Sequence, residues 1–414
     1  MKDETERLCG AFGSREQQMV DKRKRGVGFK MKEILIKNGW IHDAVHRESY
    51  QADILLADGK IVKLAPGLQA DDAMIIDASG KQVYPGFVDA HCHIGVDGYA
   101  MGFEGDDCNE MTEILTPELR IIDAVNPQDE TFRLAREGGV TCVGTGPGSA
   151  NVLGGMFAAL KTEGKRVDDM IVKFPVAMKC AFGENPKRCY RDKNNYSRMS
   201  TAAKLRIALR EAQEYMERLE GAKTVQDRPK YNAKMEALIP VLRKEIPLKA
   251  HAHQANDIFT AIRIAKEFDV KLTLEHCTDG SLIADELAAE GYPVCVGPSF
   301  GHATKIELKN KSFETPGVLD RAGCRVSIIT DSPVIPQQYL PLCAGLAVKS
   351  GMDAFAALQA ITIHPAQHLG VDSRVGSLEI GKDADVVIAD GDPMLSSTQI
   401  LYTIIDGKIC FKYE

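Results

Sequence analysis

From residue 83 to residue 331, short apolar runs alternate with amphipathic stretches, and no other feature of the sequence limits the fold as much. The apolar runs are VYPGFVDAH (83–91), GVTCVGTG (139–146), VAMKCAF (176–182), LKAHAH (248–253), KLTLEHC (271–277), YPVCVGP (292–298) and CRVSIITD (324–331). Each has the length of one strand covered on both faces. Between them, ETFRLAREG, TAAKLRIALREAQEYMERLEG, AKMEALIPVLRKEI, IFTAIRIAKEFD, SLIADELAAEG and TPGVLDRAG place apolar residues three or four apart, as helices do when one side packs on a sheet. Strand–helix alternation over this length predicts an α/β fold with a parallel sheet, closed as a (β/α)8 TIM barrel. GGMFAALK (154–161) is the candidate for the third strand, which carries the weakest signal.

The two ends follow a different pattern. KEILIK (32–37) and ILLADGKIVKLA (53–64) alternate apolar and polar residues around an Asp58-Gly59 turn, and MIIDAS (74–79) reads as a further strand. VGSLEIGKDADVVIAD (375–390) and ILYTIIDGKICFKY (400–413), with Asp406-Gly407, repeat the style. Isolated hairpins are marginal, so both ends are expected to share one small β-sandwich domain. The expected division is a composite sandwich from 31–84 and 375–414, with a barrel from 85–374 inserted into it. Residues 1–30 are polar, lack the apolar core of a secretion signal and contain the basic run Lys22-Arg23-Lys24-Arg25. They are expected to form a flexible, solvated extension, with Met31 as a second candidate start.

Composition excludes several functions. A net charge of -7 gives no basic footprint for nucleic acid. No apolar run reaches the length of a membrane span. The 11 cysteines include no CxxC pair, which fits reduced thiols in a cytoplasmic protein. The expected partner is a small-molecule substrate, and an even-numbered homo-oligomer is the usual assembly.

Polar residues recur where the apolar runs end: His91, His93, Lys179, His251, His276 and Asp331. In a barrel these ends converge on one rim, where catalytic groups collect. His91 and His93 are two residues apart, so both imidazoles project to one side of a strand and can reach one ion. His251-Ala252-His253 repeats the spacing; His251 suits the strand mouth, which leaves His253 for substrate. A carboxylate closing an apolar strand, as Asp331 does, is costly to bury without a cation or donors. Imidazoles with one carboxylate suit zinc, and also manganese or iron. Asp331 is then the residue to take a proton from water and return it to a leaving nitrogen. Arg188 and His302 are further candidates for substrate contact.

These residues resemble the amidohydrolase superfamily. PGFVDAHCHIG (85–95) is similar to its first-strand signature P-G-x-[IV]-D-x-H-x-H, and VGSLEIGKDADVVIAD is similar to its C-terminal G-x-[IL]-x-x-G-x-x-A-D stretch. KAHAHQANDI (249–258) and KLTLEHCTDG (271–280) look like the fifth and sixth strands of imidazolonepropionase-like and prolidase-like members. The resemblance implies metal ligation by His91, His93, His251 and Asp331. It implies that His276 either binds a second ion or contacts the hydrolytic water. In binuclear relatives a fourth-strand lysine is carboxylated and bridges two ions; Lys179 stands at the matching place. Deaminase relatives carry H-x-x-E where this chain has His251-Ala-His-Gln254, and a neutral amide cannot do acid–base work. The expected reaction is therefore metal-dependent hydrolysis of a C–N amide bond, in a cyclic amide, an imidazolone-like ring, a dipeptide or an N-acyl amino acid. Deamination of an aminated heterocycle and a non-catalytic binding scaffold are the alternatives.

Overall fold

The structure is a computed structural model and describes residues 33–414; the N-terminal extension, its basic run Lys22–Arg25 and Met31 lie outside the described residues. Two eight-stranded sheets organise the described chain. The first draws on both ends: β1 (Ile34–Ile41), β2 (Tyr50–Ala57), β3 (Lys60–Ala65), β4 (Met74–Asp77) and β5 (Gln82–Pro85) come from the start. Far later in the chain, Val386–Ala389, Ile400–Ile405 and Lys408–Lys412 complete it. The ends meet where β5 pairs antiparallel with Val386–Ala389, Val83 opposite Ile388. Both predicted Asp-Gly turns are found, with Asp58 at φ 49° and Asp406 at φ 48°. Ile36, Ile54, Ile61, Val83, Val386 and Ile404 are buried in this sheet's own core.

The second sheet is the barrel. Its strands are β6 (Phe87–Cys92), β7 (Val140–Thr145), β8 (Leu153–Lys161), β9 (Ile171–Ala181), β10 (Leu248–Ala252), β11 (Leu272–His276), β12 (Val294–Val296) and β13 (Val326–Ile328), hydrogen-bonded in chain order. All six predicted helical stretches contain helices, the longest spanning Arg198–Gly221. Val152, Met178, Leu209, Leu238, Ile264 and Leu274 are among the buried residues between strands and helices.

One expectation is corrected. The third strand exists where GGMFAALK placed it, but β8 runs antiparallel to both β7 and β9. A parallel connection needs a crossover of a dozen or more residues. Only 146–152 separate β7 from β8, so the chain turns back instead. The barrel is closed at its rim by backbone bonds between the end of β6 and the turn after β13: Asp331 N to His91 O at 3.2 Å, and His93 N to Ser332 O at 2.7 Å.

Candidate active site

That closure is reinforced from within by Asp89, whose side chain is fully buried. Its Oδ1 accepts from His91 N at 3.0 Å, while Oδ2 accepts from Thr330 Oγ1 at 2.6 Å and Gln337 Nε2 at 2.8 Å. The first and last strands are thus pinned together one step below His91 and Asp331.

Above this clamp the predicted rim residues converge. Asp331 Oδ1 lies 3.2 Å from His93 Nε2 and 3.7 Å from His91 Nε2. The His91 and His276 rings are centred 5.0 Å apart, and His276 is 4.4 Å from His251. His276 belongs to two sets of side chains whose ligating atoms lie within 4.8 Å of one another: His91, His276 and Asp331, and His251, His253 and His276. Lys179 Nζ, on β9, is 3.0 Å from His91 Nε2. Two of these groups rest on backbone that L-residues avoid, His276 at φ 75° and Asp331 at φ 53°. Such strain collects at functional sites.

The imidazoles are oriented to offer lone pairs. His93 Nδ1 bonds Gly146 O and His276 Nδ1 bonds Gly297 O, each at 2.8 Å. His91 Nδ1 bonds the Glu275 carboxylate at 2.8 Å, and His253 Nδ1 bonds Thr278 Oγ1 at 2.8 Å. Burial pushes His91, His251 and His253 well below the usual imidazole range, so they are neutral. Burial opposes ionisation of Asp331, but His276, His93 and His91 around it hold its carboxyl well below the usual range. Burial also lowers the Lys179 amine to about 8, against the pull of Asp331 and Glu275.

These residues fit a cation. Both ring nitrogens of His251 and Nε2 of His276 are buried without a hydrogen-bond partner among the described residues. Orphaned buried polar atoms are costly, and a divalent ion satisfies imidazole nitrogens directly.

Not every expected contact residue joins the cluster. Arg188 is exposed, with its guanidinium 3.5 Å from Asn185 Oδ1, and His302 is exposed on the loop after β12. Lys305, from the same loop as His302, adds to burial, His276 and Lys179 in lowering His251 and His253. Lys305 Nζ is 2.7 Å from Glu307 Oε1 and 2.9 Å from Asn185 Oδ1. Glu307 is buried, with Oε1 3.9 Å from His253 Nε2. Neither Lys305 nor Glu307 lies in a periodic segment, so the sequence carried no signal for them. Gln254 opens the helix Ala255–Glu267, and its Oε1 accepts from Arg198 at 2.6 Å.

A barrel whose C-terminal rim gathers imidazoles, a carboxylate and an amine has the build of a metal-dependent enzyme. The sequence matches the amidohydrolase family over residues 82–410, and the chain belongs to that family, a class of hydrolases acting on C–N bonds. It is 39% identical to an amidohydrolase of known structure from Thermotoga maritima MSB8, covering 92% of this chain and 100% of that one at a TM-score of 0.89. It is 29% identical to amidohydrolase tasK of Hapsidospora irregularis over 393 residues, which is 87% of this chain and 40% of tasK. It is 24% identical to an adenine deaminase of Lactobacillus delbrueckii subsp. bulgaricus over 392 residues, 89% of this chain and 58% of the deaminase. The chain thus spans less than two thirds of the length of both of these curated relatives. The family typically binds a divalent metal, and the imidazole and carboxylate clusters suit one. Among the described residues no helix is long and apolar enough to cross a membrane, and every cysteine is free.

Proposed function

We propose that this chain hydrolyses a C–N amide bond of a small molecule, in a cyclic amide, an imidazolone-like ring, a dipeptide or an N-acyl amino acid, with one or two divalent ions. The observation that carries this reading is the shared position of His276 between the two ligand sets, one with His91 and Asp331 and the other with His251 and His253. His91, His93, His251, His276 and Asp331 would hold the metal, and zinc fits imidazole-rich sites best. A divalent ion there acidifies water and polarises the carbonyl under attack.

The chain's own groups supply the rest. Asp331 is ionised, partly open to solvent and hydrogen-bonded to His93, so it can take a proton from the attacking water. Having taken that proton, the same carboxyl can pass it on to the leaving nitrogen. Lys179 is buried with an amine lowered to about 8, so a usable fraction is neutral near pH 7 and can add carbon dioxide. Carboxylated Lys179 would add an anionic oxygen ligand for the metal. His253, with Lys305 and Glu307 beyond it, faces the substrate. The barrel of 85–374 is the catalytic unit in this reading, and the composite sheet of 31–84 and 375–414 supports it. The protein is taken as a cytoplasmic homo-oligomer, and light scattering on the purified chain would check the assembly.

The deciding experiment pairs elemental analysis with turnover on N-acyl amino acids, dipeptides and cyclic amides. Bound metal with amide cleavage supports the proposal. The adenine deaminase relative keeps a second reading alive, and ammonia release from an aminated heterocycle without amide cleavage would establish it. Normal folding without metal or turnover would leave a binding scaffold.

A further inference from the structure

Beneath the imidazole cluster the barrel interior holds a second polar layer, absent from the sequence expectations. Lys249 stands two residues before His251 on β10, Glu275 one residue before His276 on β11, and His368 on the helix Ile363–Leu369; all three are buried. Lys249 Nζ is 2.8 Å from Glu275 Oε2, and His368 Nε2 is 2.9 Å from Glu275 Oε1. Cys295 Sγ lies 3.5 Å from His368 Nε2. Glu275, Cys295 and His368 are close enough to hold an ion. However, the Lys249 ammonium, also 3.2 Å from His368 Nε2, already supplies the cation there. This layer is therefore a closed ion pair and not a second metal site.

Its outlet is His91. The Nδ1 atoms of His93 and His276 lean on backbone carbonyls, and that of His253 on a hydroxyl, whereas His91 leans on a carboxylate. A carboxylate partner fixes the tautomer and makes the far nitrogen a stronger donor than a carbonyl partner does. Left alone under a cationic centre, Glu275 would also pair with the nearest ammonium. Lys249 and Lys179 lie 5.3 Å and 5.4 Å from the centre of the same Phe157 ring, but Lys249 takes Glu275, while Lys179 Nζ faces His91 Nε2.

We infer that Lys249, Glu275 and His368 form a positioning unit that holds His91 with Nε2 toward the ion and raises its donor strength, while keeping Glu275 off Lys179. The inference rests on the proposed metal-dependent reading and adds that the His91 side of the centre is tuned from below.

The test uses the full-length protein loaded with cobalt(II). Glu275→Gln removes the charge on the His91 partner. Glu275→Asp keeps the charge that balances Lys249 but withdraws the oxygens by one methylene, so it is the variant expected to fold normally. For both, chelator competition should show cobalt binding weakened about tenfold to a hundredfold, with a changed visible absorption spectrum of the cobalt centre. Cobalt affinity within about twofold of the parent and an unchanged spectrum in Glu275→Asp would overturn the inference. A lower melting temperature with unaltered cobalt binding would overturn it too, by reducing the unit to a structural ion pair. Failure of the parent protein to bind cobalt would overturn the metal-dependent reading itself, and so is distinguishable from a result confined to the variants.

Discussion

Lys179 Nζ lies 3.0 Å from His91 Nε2, so a buried amine meets the ring nitrogen that faces the imidazole cluster. Carbon dioxide adds only to the neutral amine. Because burial lowers Lys179 from 10.5 to about 8, the neutral fraction climbs up to that pH and then saturates. Metal-stripped protein given zinc at fixed dissolved carbon dioxide should regain activity about tenfold faster per pH unit below 8, and level off above about 9. A rate still climbing at that slope at pH 10 would rule out Lys179 as the titrating group. The same shift has a sign in stability. Between about 8 and 10.5 the unfolded chain holds the proton that the folded chain has released, so this group makes the fold more stable as pH rises through that window.

Asp331 occupies left-handed backbone at φ 53°, a conformation that Asn tolerates better than most residues. Asp331→Asn should therefore keep the fold and lose the proton acceptor. Turnover should fall about a hundredfold to ten-thousandfold, with the melting temperature nearly unchanged. Full activity in the metal-loaded variant would remove Asp331 from the mechanism.

Arg198 donates to Gln254 Oε1 at 2.6 Å and holds Asp257 Oδ1 at 2.9 Å, so position 254 is tied to an arginine. A glutamate placed there would meet that guanidinium first. Gln254→Glu should therefore gain no ammonia release from aminated heterocycles and keep its amide hydrolysis. Deamination at a rate comparable to amide cleavage in this variant would show that residue 254 alone separates the two chemistries.

Strand-end residues made the site legible. Side-chain alternation put His91 and His93 on one side, and the apolar runs before His251 and Asp331 located the rim. Alternation failed at Glu275-His276, since neighbours on a strand face opposite ways. The φ of 75° at His276 turns its ring back into the barrel, so both residues point inward. That backbone twist has no sequence signal, and neither did the pairing of Glu275 with Lys249. The antiparallel β8 was hidden for a related reason. Its apolar content gave a strand, while its direction was set by the short 146–152 connection. Arg188 and His302 were drawn largely from loop position, and both side chains are exposed outside the imidazole cluster.

A buried cation helps to join the two sheets. Lys161, at the end of β8, reaches Asp385 at 2.7 Å, Asp383 at 3.1 Å and Asp406 at 3.2 Å, all from the C-terminal part of the first sheet. Removing one partner of a buried pair strands the other. Lys161→Met should cost about 3–5 kcal/mol in denaturant unfolding, while the folded fraction keeps its kcat. A loss below about 1 kcal/mol would mean that water or Arg374, 2.7 Å from Asp383, compensates.

His251 tests the metal centre without any substrate, because neither of its buried ring nitrogens has a hydrogen-bond partner among the described residues. Each unsatisfied buried group costs roughly 1–3 kcal/mol, and an ion that binds only the folded state returns about 2.7 kcal/mol at a hundred times its dissociation constant. Chelation should thus lower the melting temperature by a few degrees, and zinc should restore it. His251→Ala discards the orphaned nitrogens together with their ligand role. It should shrink the gap between metal-loaded and stripped protein, mainly by lowering the loaded value, since the stripped protein loses an imidazole that was a burden to it. Equal melting temperatures for loaded and stripped parent protein, with no metal retained on dialysis, would mean that these imidazoles converge for some reason other than holding an ion.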